Sequence, residues 1–173
     1  MNNEKNSVLL LIFILMFSLT ACTKKEAKDE KVPARLKEIT GKIVKANTNS
    51  AGDIIITESD ITDEVVYIGY EYEEVTIGLL AVKDSNGSVK VVINTCQSCG
   101  GSPYAYFVQV GDKIQCQNCG SVFAIDELDN LTEDGCNPIA IEDKETKDGV
   151  ITIGVEQLKE LKSKFENWKG PKA

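Results

Sequence analysis

Two Cys-x2-Cys pairs, Cys96-Gln97-Ser98-Cys99 and Cys116-Gln117-Asn118-Cys119, constrain this chain more than any other feature of its sequence. Sixteen residues separate Cys99 from Cys116. That spacing belongs to four-thiolate metal sites, in which each short turn sets two sulfurs on one side of a loop and two facing turns complete a tetrahedral set. Zn2+, Fe or an iron-sulfur cluster accepts such ligands. Gly100-Gly101 and Gly120 follow the knuckles, where glycine supplies positive φ and lets backbone N–H groups approach sulfur. Two other readings stay open: structural disulfides, suited to an oxidising compartment, and a dithiol redox pair. A redox pair opens a helix, whereas Cys99 runs into Gly-Gly-Ser-Pro and Cys119 into Gly-Ser-Val-Phe.

The chain has 173 residues and no histidine. Without imidazole there is no Ser-His-Asp or Cys-His nucleophile, no His-Glu-x-x-His zinc protease and no histidine ligand to any metal. Lys plus Arg is 19 against 27 for Asp plus Glu, a net charge of -8, so the basic face that nucleic acid needs is missing. Hydrophobic residues at 42 % suffice for a buried core. No Walker loop, Gly-x-Gly-x-x-Gly run or internal repeat is present.

Val8 to Leu19 is apolar apart from Ser18 and follows a polar start. As a helix these twelve residues reach about 18 Å, short of a hydrocarbon core of about 30 Å, so the segment reads as a secretory signal rather than a span. Its boundary, Leu19-Thr20-Ala21-Cys22, resembles the bacterial lipobox, which implies lipidation of Cys22 and a mature protein held outside the cytoplasm by acyl chains in membrane lipid. The charged stretch after Cys22 reads as a tether on the order of 20 Å long. The expected organisation is therefore a signal over residues 1–21, a lipidated cysteine and linker over 22–41, and one domain over 42–170.

From Lys42 onward, short runs rich in Val, Ile and Tyr alternate with turn residues, the pattern of a mainly antiparallel β domain. Strands are expected over residues 53–57, 65–72, 75–83, 88–94, 104–110, 113–115, 121–125, 139–141 and 150–154, with hairpin turns at Asp84-Ser85-Asn86-Gly87 and Gly111-Asp112. Val155, Leu158, Leu161, Phe165 and Trp168 recur at helical spacing ahead of Gly170-Pro171, which predicts a C-terminal amphipathic helix packed on the sheet.

Cys136, in Asp134-Gly135-Cys136-Asn137-Pro138, is the odd thiol: a small buried hydrophobe, a partner for another chain, or a group beside the metal. Exposed outside the cytoplasm it would oxidise, which argues for a protected position. Asp126, Glu127, Asp129, Glu133 and Asp134 crowd one loop, and Glu71, Glu73 and Glu74 crowd a turn. These suit hard cations but do not match the calcium-loop template, so a solvated acidic loop is the simpler expectation. No acid-base pair can be assigned.

Asn94-Thr-Cys96-Gln-Ser-Cys99-Gly, Gly111-Asp-Lys-Ile-Gln-Cys116-Gln-Asn-Cys119-Gly and Gly135-Cys136-Asn-Pro-Ile139 together resemble the FtrD-like family of membrane iron-sulfur proteins associated with bacterial iron transport. The resemblance implies cluster or metal binding by Cys96, Cys99, Cys116 and Cys119, with Cys136 in the same motif, and an iron-uptake setting beside a permease or a redox membrane protein. Cys116-x2-Cys119-Gly-x-x-Phe123 with Gly135-Cys-Asn-Pro138 is also loosely similar to the second loop and cover of Rieske proteins. The Rieske histidines are missing, with Cys99 and Cys119 near their places, so a true Rieske centre is excluded. An all-cysteine [2Fe-2S] centre would be a low-potential carrier, whereas Zn2+ carries no electrons. The expectation is thus an extracytoplasmic, membrane-anchored electron carrier or metal-handling protein rather than an enzyme. A structural zinc-ribbon-like module and a thiol-disulfide protein are the alternatives.

Overall fold

The computed structural model describes residues 39–172. The signal segment, Cys22 and most of the expected linker lie outside the described residues.

Among the described residues twelve strands form three sheets. The central sheet has five strands in the order β1-β4-β5-β6-β10, over Lys42–Lys45, Val66–Tyr72, Val75–Lys83, Val89–Cys96 and Pro138–Ala140. A four-stranded sheet follows the order β11-β12-β3-β2, over Lys144–Lys147, Val150–Ile153, Ile54–Thr57 and Asn47–Thr48. A three-stranded sheet, β7-β8-β9, spans Phe107–Val110, Lys113–Cys116 and Val122–Ala124. All neighbours are antiparallel except β1, which runs parallel to β4 in the register Lys42 to Val66.

Strand β5 reads as an almost continuous apolar run because both its sides are covered. Ile77, Leu79 and Ala81 enter a large hydrophobic cluster with Ile54, Ile56, Ile151 and Ile153 of the four-stranded sheet. Leu80 and Val82 enter a second cluster with Phe107, Ile114, Cys96 and Cys116. The cysteine loops are thereby mounted on a core of their own, beside the larger one.

The expected hairpins form as read. Gly87 N–H donates to Asp84 O at 3.0 Å in the β5-β6 turn, and Gly111 adopts φ +62° between β7 and β8. A third turn carries no glycine: Glu73 (φ +46°) and Glu74 (φ +67°) close β4 onto β5 with Tyr72 opposite Val75. Both glutamates therefore occupy left-handed backbone that glycine or asparagine usually fills.

The C-terminal segment differs from the expected long helix. Only Glu156–Glu160 is α-helical (α1), followed by a 3-10 turn over Lys162–Lys164. The apolar stripe is nevertheless buried at Val155, Leu158, Phe165 and Trp168. Its backbone leaves the helical pattern because Lys164 O accepts from Gly101 N–H at 3.1 Å and Lys169 N–H donates to Pro103 O at 2.8 Å. The loop after the first knuckle thus takes the hydrogen bonds that a continued helix would have used.

Candidate metal centre

Cys96 ends β6 and Cys116 ends β8, so two strand termini each deliver one buried thiol and lead into a turn that presents a half-buried one, Cys99 or Cys119. The four Sγ atoms all lie within 4.8 Å of one another. None of the five described cysteines is in a disulfide, and neither knuckle opens a helix. Sulfur ligands around one tetrahedral ion at about 2.3 Å stand about 3.8 Å apart, so the cage is of the size such an ion takes.

Backbone geometry builds each turn. Cys99 N–H points at Cys96 Sγ, 3.4 Å away, the contact that glycine-lined knuckles permit. In the second turn Gly120, at φ +80°, returns its N–H to Cys116 O at 2.9 Å, and Cys116 N–H meets Ser121 O at 2.9 Å. The Cys119 thiol is 3.4 Å from Ser121 Oγ. Ser102 Oγ donates to Asn118 Oδ1 at 2.7 Å and ties the two turns together. The glycines after the first knuckle divide their work: Gly101 supplies φ +93°, whereas Gly100 leaves room for the Lys164 side chain, whose Cδ would stand 2.8 Å from a Cβ there.

Crowding sets the protonation pattern. The Cys116 thiol is held down to about 5 by the hydrogen bond from Cys96, against burial, with help from the N–H groups of Cys119 and Asn118. Cys96 is pushed far up because its proton is shared with Cys116 and because it is buried. Burial chiefly pushes Cys119 up, to about 11. Burial works against negative charge on each of these three sulfurs, so a bound cation would favour their thiolate forms.

Asn94, fully buried two residues before Cys96, supports the site from behind. Its Oδ1 accepts from Phe107 N–H at 2.8 Å, and Phe107 is the register partner of Cys116. That bond fixes the amide orientation and leaves Nδ2 as a buried donor without a protein partner. Four soft sulfur donors on two facing turns fit a thiolate-bound metal or cluster.

Cys136 is outside the group of four sulfurs. It is half-buried and packs on the same hydrophobic cluster as Cys99 and Cys119. Its loop acts as a clamp: Gln97 N–H donates to Asn137 O at 2.8 Å and Ser98 N–H to Gly135 O at 3.1 Å. Gly135 holds φ +101° to make that turn.

The acidic loop has structural partners. Asp126 accepts from Ser85 N–H at 2.9 Å and Oγ at 2.8 Å, while Asp129 and Asp84 flank the buried Lys90 ammonium. Among the described residues no three acidic side chains converge as the sulfurs do. Lys164, whose Nζ donates to Gln97 O at 3.3 Å inside the first knuckle, is a neighbour of the site that sequence reading missed, because a single lysine gives no local signal.

A small β protein with a four-cysteine metal-binding cage is the class that fold and site define. The family model described as "Membrane iron-sulfur containing protein FtrD-like" matches residues 61–165, more than half of the chain and all four clustered cysteines. The chain belongs to the FtrD-like family. No curated protein and no solved structure matches it. The family is described as membrane-associated, and no helix among the described residues is long and apolar enough to cross a membrane.

Proposed function

We propose that this protein is an extracytoplasmic lipoprotein, anchored through Cys22, that holds an iron-sulfur cluster or a metal ion on Cys96, Cys99, Cys116 and Cys119 and serves electron transfer or metal handling in iron uptake. The convergence of the four sulfurs within 4.8 Å carries this reading, and the family description favours iron-sulfur over other cargo. When bound, such a cluster supplies one-electron chemistry. Cys96 and Cys116 anchor it from the buried side, and the half-buried Cys99 and Cys119 form the edge nearest solvent, through which a redox partner would exchange electrons. An iron permease or a redox protein in the same membrane is the partner class this placement suits.

A mononuclear Zn2+ or Fe site is the second reading, favoured by the mutual closeness of all four sulfurs. Purified protein decides between them. Absorbance between about 400 and 550 nm with iron and acid-labile sulfide establishes a cluster. Colourless protein with one zinc per chain establishes a structural site, and protein with neither, whose thiols oxidise and reduce reversibly, overturns both in favour of thiol-disulfide chemistry. Labelling with palmitate, lost in Cys22→Ser, tests the anchor.

A further inference from the structure

The C-terminal segment places a cation on the first knuckle. Lys164 Nζ donates to Gln97 O at 3.3 Å, inside the Cys96-to-Cys99 turn. Its stem lies where Gly100 has no side chain: a Cβ at Gly100 would stand 2.8 Å from Lys164 Cδ and 2.9 Å from Nζ. The backbone of the same residue is pinned as well, Lys164 O accepting from Gly101 N–H at 3.1 Å. Two hydrogen bonds hold the lysine here, and its stem occupies the space beside Gly100. Glu133, Glu142 and Glu160 line the same cleft, yet Lys164 forms no ion pair among the described residues. Its charge is spent on the knuckle.

We propose that Lys164 is a charge-compensating positioning residue of the four-cysteine centre. The inference rests on the four-thiolate reading above. Binding one divalent ion to four thiols releases up to four protons and leaves the assembly with a net charge near -2. An ammonium fixed beside the turn offsets part of that charge, and so raises the affinity of the cage for a cation in the only form the cage can hold it.

The test is the affinity of the purified chain for Co2+, read by its thiolate absorption, and for Zn2+ by competition. Lys164→Met keeps the stem and removes the charge, and Lys164→Arg keeps the charge. The Met variant should bind at least about threefold more weakly at low ionic strength, the scale of one partly screened charge, and the deficit should shrink in about 1 M salt. The Arg variant should stay close to wild type. Equal binding by the Met variant overturns the proposal, as does an equal, salt-insensitive loss in both variants, which would make the residue merely structural. Should the wild-type chain bind neither ion through its thiolates, the four-thiolate reading itself fails, a result distinct from either of these.

Discussion

The backbone N–H of Gln97 donates to the carbonyl of Asn137 at 2.8 Å, joining the first knuckle to the Gly-Cys-Asn-Pro loop. Asn137 is itself fixed, its buried Nδ2 reaching Thr132 O at 2.7 Å and Pro138 O at 3.1 Å. Next to it, Pro138 is paired with Cys96 across β10 and β6. The two motifs occur together because one is the scaffold of the other.

Asn137→Ala should therefore loosen a loop that bears no ligand. Losing the buried amide bonds costs about 1–3 kcal/mol of stability, and metal affinity should fall about 10-fold or more, as for other outer supports of a metal site. Chemical denaturation and a Zn2+ competition titration measure the two effects.

Cys136 and the four cage cysteines should separate cleanly under substitution. Cys99→Ser or Cys119→Ser is expected to weaken metal binding by more than about 100-fold, whereas Cys136→Ser should leave the bound stoichiometry unchanged, because its sulfur is outside the group of four. Metal analysis of the three purified variants checks this.

Removing the metal should act unevenly on the molecule. The larger cluster of Ile54, Ile77, Leu79 and Ile153 is built without the cysteines, while the second cluster contains Cys96 and Cys116. Chelation is expected to raise amide exchange across residues 96–121 by more than about 10-fold and to leave β3, β5 and β12 protected. Hydrogen-exchange mass spectrometry resolves the two regions.

Alkaline stability should report Tyr67. Burial pushes its phenol up to about 12 from 10.0, with Gln109 N–H on its oxygen at 3.3 Å. The unfolded chain gives up this proton first, so the contribution is complete below pH 10.0 and is lost as the pH rises from there toward about 12. Wild type should lose roughly 2–3 kcal/mol over that window from this residue alone, and Tyr67→Phe should not. The difference between the two denaturation profiles isolates it.

Gly78 and Trp168 meet so closely that a Cβ at residue 78 would stand 2.4 Å from the indole Cη2. Gly78→Ala should destabilise the fold by about 1–3 kcal/mol through overpacking and change the tryptophan fluorescence. Thermal unfolding followed by that fluorescence tests both at once.

Periodicity and turn chemistry act over a few residues, so they are written locally. The alternation of Val150 to Ile153, the apolar run of β5, the Asp84 and Gly111 turns and the spacing of both knuckles are all legible in the chain itself. The strands β1 and β11 could not, because Lys42–Lys45 and Lys144–Lys147 bury almost nothing and owe their form to backbone bonds with β4 and β12. The short α1 was hidden for a related reason: the stripe from Val155 to Trp168 specifies which side chains are buried, but Gly101 and Pro103 decide where the backbone bonds go. Thus the sequence alone determined a β protein with two cysteine knuckles spaced to meet. Only the tertiary structure decided what Asn94, Asn137 and Lys164 bond to around them, since those contacts join residues at least 13 apart in the chain, and for Lys164 no motif marks the position.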